Sequence, residues 1–249
     1  MLTLSWAFQQ TYPAEAADMS LSIPLLVLTN HFLLVWCAAV GLNQQDDAPV
    51  LELSFQSLDY RNILHWKLQP STSDVVLFSV QYKIYGDKQW TDVRHCQNIS
   101  QLQCDLSKET SDPREWYYAR VQVSTNGEQS EWALSSRFHP QWESSFSPPQ
   151  IRLNVTQQSI VVRVRPPRTP LRRADGRRIP VTKYQRLNFR IYLTHDNIEE
   201  EQHEIEDCTK ELMILNLNPR TTFCLQAETL VARRGQVSPR GPKTCVTTL

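Results

Sequence analysis

Apolar and polar positions alternate along most of this chain with a period of two, the spacing of strands that bury one face. In VVLFSVQYKIY (75–85), Val76, Phe78, Val80, Tyr82 and Ile84 fall on one face, expected to be the core side. Leu77, Ser79, Gln81, Lys83 and Tyr85 fall on the other. WYYARVQV (116–123) sets Tyr117, Ala119, Val121 and Val123 against Tyr118, Arg120 and Gln122. LELSF (51–55), NILHWKL (62–68) and the segment 131–138 complete the first series, with Trp66 and Trp90 read as core. Gly86-Asp87 and Asn126-Gly127 are turn and hairpin signals. Trp132 and Arg120 fall on adjacent predicted strands and are expected to stack as a cation–π pair. About seven short strands between 50 and 139, with turn signals every 8–12 residues, predict an antiparallel sandwich.

A break follows. Pro140 and Pro148-Pro149 bracket QWESSFS, read as a linker. Strand patterning then resumes at Ile151 and runs through SIVVRVR, FRIYLTH, ELMILNL, TFCLQAETLVA and KTCVTTL. The chain is therefore expected to be all-β, with two tandem sandwiches over 42–146 and 147–249. One long stretch resists this pattern: 166–183, PPRTPLRRADGRRIPVTK, is read as an irregular loop. Its Arg172, Arg173, Arg177 and Arg178 suggest a contact for an acidic partner or a glycosaminoglycan.

The N-terminus differs in kind. Residues 23–42, IPLLVLTNHFLLVWCAAVGL, form the one long apolar run, followed by small residues. We read 1–41 as a secretory signal peptide, with translation starting at Met1 or Met19 and cleavage near Gly41. The basic flank usual for such a segment is missing, because the first Lys or Arg is Arg61. With no second run of that length, the mature chain is expected to lack a membrane span.

Cysteines and sequons fit secretion. Cys37 lies in the apolar run, leaving Cys96, Cys104, Cys208, Cys224 and Cys245. Local bridges Cys96–Cys104 and Cys224–Cys245 are the simplest of three pairings, with Cys208 left over as a buried thiol or an intermolecular partner. No CxxC spacing points to structural zinc. Asn98-Ile99-Ser100 and Asn154-Val155-Thr156 are glycosylation acceptors.

Composition removes function classes. Of 249 residues 41% are hydrophobic, and 26 Lys+Arg balance 26 Asp+Glu, so the chain is no uniformly basic nucleic-acid binder. Only 6 Gly and no phosphate-binding fingerprint, GxSxG or HExxH motif argue against an enzyme. The acidic run EEEQHEIED around His203 is read as a solvated strand edge rather than a metal site. No cofactor or metal is expected. The neutral total hides polarity: residues 42–146 hold 9 Lys+Arg against 14 Asp+Glu, and 147–249 hold 17 against 10.

Several ordered stretches carry a resemblance. FQSLDYRNILHW (55–66), VQYKIYGDKQW (80–90), CQNISQLQCDLSKETSD (96–112), YYARV (117–121) and SEWALSSRF (130–138) resemble the first domain of class II cytokine receptors. PPQI (148–151), LNPRTTFCLQAE (217–228) and the KTCVTTL end extend the likeness more weakly. The nearest group is that of the interleukin-22 and interleukin-20 receptors. The resemblance implies two fibronectin type III domains joined at an elbow, with cytokine contacts on loops there. It marks Lys83, Tyr85 and Gly86 of KIYG, Thr110, Asp112 and Arg114 of the next contact loop, and Arg137 of SSRF. Trp142 and the basic loop are weaker candidates. It further implies a secreted, non-signalling protein that binds an interleukin-22-like helical cytokine and blocks its membrane receptor. A truncated or spliced ectodomain of a signalling receptor, and an adhesion or matrix module, remain as alternatives.

Overall fold

The computed structural model describes residues 50–68, 76–195, 199–206, 209 and 211–249. The expected signal peptide, Cys37 and Cys208 lie outside the described residues. The fold is all-β, with two tandem sandwiches.

In the first sandwich, β1 (Val50–Leu58), β2 (Arg61–Leu68) and β5 (Gln103–Asp105) form one sheet. The other contains β3 (Val76–Ile84), β4 (Thr91–Asp92), β6 (Tyr117–Thr125), β7 (Glu128–Gln129) and β8 (Ala133–Leu134). The alternation of β6 is realised: Tyr117, Ala119, Val121 and Val123 are buried. Ala119, Val121 and Val123 meet Leu64 and Trp66 of β2 and Phe78 and Val80 of β3 in one core. The disulfide Cys96–Cys104, as expected, ties this core to β5. Asn126 and Gly127, both at positive φ, close the β6–β7 hairpin at register Thr125↔Glu128. The strand expected over 131–138 is reduced to β8 and a bridge between Tyr117 and Phe138.

In the second sandwich, β9 (Gln150–Val155), β10 (Ile160–Arg165) and β15 (Glu211–Ile214) form the smaller sheet. The larger holds β13 (Asn188–His195), β14 (Glu199–Ile205), β16 (Thr222–Val231), β17 (Gln236–Val237) and β18 (Thr244–Thr247). Cys224 and Cys245 face each other in the β16–β18 register and form the second expected bridge. The acidic run is β14, at one edge of its sheet. Glutamates on an exposed edge discourage pairing with a further strand.

Three expectations change. Residues 166–183 are not irregular: β11 (Arg168–Arg172) and β12 (Arg178–Pro180) form a hairpin followed by a short 3-10 turn, Val181–Lys183. Its turn runs through Ala174, Asp175 and Gly176, with Gly176 at φ +77 and Arg177 N–H donating to Asp175 Oδ1 at 2.9 Å. Pro170 and Pro180 interrupt the ladder and mask the strand pattern, but buried Thr169 and Val181 anchor the hairpin. The linker also has structure: Pro140–Glu143 is a one-turn helix, α1, and Phe146 is buried. Trp66 is core at 3% exposure, but Trp90 is not. It stacks on the surface against Arg120, whose guanidinium carbon lies 4.4 Å from its ring centre.

Candidate functional site: an aromatic–arginine surface at the elbow

The β1–β2 hairpin builds one side of the elbow. Its two-residue turn, Asp59-Tyr60, holds both residues at positive φ (54° and 63°), a conformation in which glycine is usual. Both side chains compensate for that cost by joining the sandwiches. The Asp59 carboxylate accepts from Ser147 N–H at 2.9 Å and from Ser147 Oγ at 2.5 Å. Burial nevertheless pushes its carboxyl above the usual range, against these two hydrogen bonds. Tyr60 is 3% exposed and belongs to the core of the second sandwich. Its ring meets Phe146 and Tyr184 edge-on, each at 5.6 Å. Thr229 of β16 closes the joint by donating to Ser147 O at 2.8 Å.

Next to this joint the first sandwich exposes an aromatic row. Tyr85 follows β3 and is 59% exposed. Its N–H donates to Trp116 O at 2.7 Å, and Gly86 (φ +96) turns the chain away immediately after. No heavy atom lies within 4 Å of where a Cβ on Gly86 would sit, so backbone conformation rather than crowding calls for glycine. The Arg137 guanidinium lies 4.1 Å from the Trp116 ring centre and 5.5 Å from that of Tyr85. Tyr118 flanks Tyr85 at 6.3 Å. Trp116 meets His139 edge-on at 4.4 Å, and His139 in turn lies 6.3 Å from Trp142 of α1. Trp142 is 60% exposed, and its carbonyl accepts from Arg234 of the second sandwich. Burial lowers the His139 pKa and so favours the neutral ring. Exposed Tyr and Trp rings backed by arginine combine apolar area with directional polar groups, the composition of binding hot spots.

The loop after β5, expected to make contacts, divides in its structure. Arg114 grips the Asp112 carboxylate at 3.0 and 2.8 Å and holds its pKa below the usual carboxylate range. Tyr117 Oη donates to Asp112 O at 3.0 Å, and Gln141 N–H donates to Pro113 O at 3.0 Å, tying the loop to α1. Asp112, Arg114, Gln141, Lys183 and Tyr184 line a cleft of about 430 Å³ that runs between the sandwiches. Thr110 does not fit a contact role. It is 2% exposed, and its hydroxyl donates to Leu106 O and accepts from Asn62 Nδ2, both at 2.7 Å. Its proximity in sequence to half-buried Asp112 and exposed Arg114 carries no information about burial, and it holds the loop from beneath.

Lys83 shares the face of Tyr85 but is otherwise engaged. Its Nζ lies 4.9 Å from the Trp90 ring centre and donates to Asp87 O at 3.3 Å. It caps a stack that continues through Arg120 to Trp132, at 4.3 Å from the guanidinium, and so realises the expected Arg120–Trp132 pair. Gln81 Oε1 accepts from Arg120 at 2.8 and 2.5 Å and completes the stack. Trp116, Tyr118 and His139 were missed by the sequence reading. The WYY run signalled two of them, but alternation shows only that they share a strand.

Arg172, Arg173, Arg177 and Arg178 are exposed on the β11–β12 hairpin, with Arg172 Nη1 donating to Gly176 O at 2.7 Å. Arg172, Leu171 and Tyr184 face Asp105 and Lys108 across a cleft of about 880 Å³. Asn98 and Asn154 are both exposed. The His95, Cys96 and Cys104 group could suggest a metal site, but both sulfurs are spent in the disulfide.

In sequence, residues 24–132 match the family profile of tissue factor, and 144–249 match that of the interferon-alpha/beta receptor fibronectin type III domain. The chain is 37% identical over 196 residues to interleukin-22 receptor subunit alpha-2 of Rattus norvegicus, covering 78% of this chain and 86% of the relative. The chain belongs to the class II cytokine receptor family. The mouse interleukin-22 receptor subunit alpha-2 is 34% identical over 89% of this chain and 94% of its own. Human interleukin-20 receptor subunit alpha is 31% identical over 79% of this chain but 36% of its own length. The fold agrees. A chicken interferon gamma receptor alpha chain superposes with a TM-score of 0.62 at 24% identity, over 81% of this chain and 98% of that one. Among the described residues, no helix is long and apolar enough to cross a membrane.

Proposed function

We propose that this class II cytokine receptor is secreted and binds an interleukin-22-like helical cytokine through the Tyr85–Arg137–Trp116 surface and the Asp112–Arg114 loop. Occupying the face that the cytokine offers its membrane receptor, it acts as a decoy by mutual exclusion. Binding suffices for this role, and no catalytic step is invoked. The carrying observation is Tyr85, 59% exposed on a backbone fixed by Trp116 and Gly86 and flanked by an arginine. Such an anchor loses little freedom on binding, which raises affinity. Likeness to two receptors named interleukin-22 receptor subunit alpha-2 supports this choice of cytokine.

The test is titration of the secreted chain against interleukin-22, followed by competition with the membrane receptor. Submicromolar binding and displacement are expected, with Tyr85→Ala weakening affinity by at least about tenfold. Absence of submicromolar binding refutes the cytokine assignment, and binding without displacement refutes the decoy role. Unchanged affinity in Tyr85→Ala refutes the site. A second reading, the ligand-binding part of a signalling receptor, is favoured by the likeness to interleukin-20 receptor subunit alpha over 36% of that protein. A transcript encoding a membrane span beyond Leu249 decides for it.

A further inference from the structure

The second sandwich carries an arginine strip remote from the aromatic row in composition and chemistry. On β9 and β10, Arg152 stands directly opposite Arg163, and both are exposed. Arg165 lies two residues further along β10 on the same face, about 7 Å away by strand geometry. Arg165, Arg168 and Arg178 then line one cleft of about 470 Å³ where β10 passes into the β11–β12 hairpin. In that hairpin Arg178 stands opposite Arg172, a second like-charge pair.

Like charges placed opposite each other on neighbouring strands destabilise a sheet. Here they are barely compensated. Arg163 pairs with Glu211 at 2.7 Å, an exposed contact. Among the described residues, Arg152, Arg165, Arg168 and Arg178 form no ion pair. The strip runs on from one sheet to the next hairpin and is open along its length. It therefore fits an extended polymer with repeated charge better than a single small anion. Guanidinium groups bind the oxygens of such anions in pairs. One disulfide in each sandwich fits an oxidising, extracellular setting, where sulfated glycans rather than nucleic acids are the polyanions at hand.

We propose that Arg152, Arg163, Arg165, Arg168 and Arg178 form a binding site for a sulfated polysaccharide, which would hold the protein on a glycan-rich surface. The assignment moves the expected glycosaminoglycan contact from the hairpin tip to the continuous strip, and it goes beyond the cytokine reading.

Heparin-affinity chromatography of the secreted chain tests it. The wild type is expected to stay bound at about 0.15 M salt and to elute as screening lengths shorten at higher salt. Arg152→Gln/Arg165→Gln/Arg178→Gln should bind at least about tenfold more weakly and elute at or below that salt. All three side chains are exposed, so the variant should melt like the wild type. A control with the same charge loss, Lys88→Gln/Arg94→Gln/Arg233→Gln, should stay bound. Flow-through of the wild type at about 0.15 M salt, or equal loss in the control, overturns the proposal. Equal retention on desulfated heparin or polyglutamate overturns the choice of a sulfated glycan.

Discussion

Alkaline pH should unfold this protein through two buried tyrosines, and Tyr60→Phe should remove one of the two contributions. Burial pushes the Tyr60 hydroxyl up to about 12, with neighbouring Tyr184 adding to the rise and Arg234 opposing it. Burial likewise pushes Tyr117 up to about 12. In the unfolded chain both titrate near 10. The folded state holds these protons more tightly, so the tyrosine contribution is intact below about pH 10 and is lost as pH rises from there through about 12. Two pK units correspond to about 2.7 kcal/mol for each ring. The combined loss is about 5 kcal/mol, comparable to the whole stability of a small domain. The Tyr60 hydroxyl has no hydrogen-bond partner among the described residues. Its removal therefore leaves no group stranded, and Tyr60→Phe should be within about 0.5 kcal/mol of the wild type at neutral pH. The assay is urea denaturation at a series of pH values between about 8 and 11.5, followed by fluorescence and phenolate absorbance. The variant should lose about half as much stability as the wild type over that range. An alkaline loss in Tyr60→Phe equal to that of the wild type would refute the reasoning.

Arg120→Ala should destabilise the first sandwich by about 1.5–3 kcal/mol, because it removes two cation–π contacts and two hydrogen bonds to Gln81, and chemical denaturation measures this. Thr110→Val should cost about 1–3 kcal/mol by leaving Asn62 Nδ2 poorly partnered, while cytokine affinity in a binding titration stays unchanged. Replacing Cys224 and Cys245 together by serine should lower stability by about 3 kcal/mol through the closed segment of 21 residues, read as a lower melting temperature. Arg114→Ala should leave the melting temperature nearly unchanged, since Arg114 and Asp112 form an exposed pair, but should weaken cytokine binding in the same titration.

Local pattern and tertiary structure divide this molecule clearly. Alternation in 116–123 identified the buried face of β6, and in 75–85 it found buried Phe78 and Val80 while Val76, Tyr82 and Ile84 are half-buried, because a strand turns every second residue to the same face. The two disulfides could be read from position, since each closes a short segment. Asn126-Gly127 identified its hairpin because few residues adopt paired positive φ. The Asp59-Tyr60 turn escaped notice for the same reason: two residues that rarely adopt this conformation do so where their side chains are held by Ser147, Phe146 and Tyr184. Prolines concealed β11 and β12 by breaking their ladder. In the loop after β5, sequence could not separate half-buried Asp112 and exposed Arg114 from buried Thr110.

The sequence alone determined two β-sandwiches, their bridges, and an acidic first half followed by a basic second half. These properties depend on composition and on spacings of a few residues. The tertiary structure decided which aromatics work together. Tyr85, Trp116 and Arg137 come from separate segments and meet only because the end of β3 pairs with the start of β6, while Trp142 of α1 joins them through His139. Tyr60 belongs by sequence to the first sandwich and by packing to the core of the second. It likewise decided that the arginines form a strip, because the facing of Arg152 and Arg163 is set by β9–β10 register. Strand periodicity tells which way a side chain points, but its neighbours are fixed by long-range pairing and domain packing.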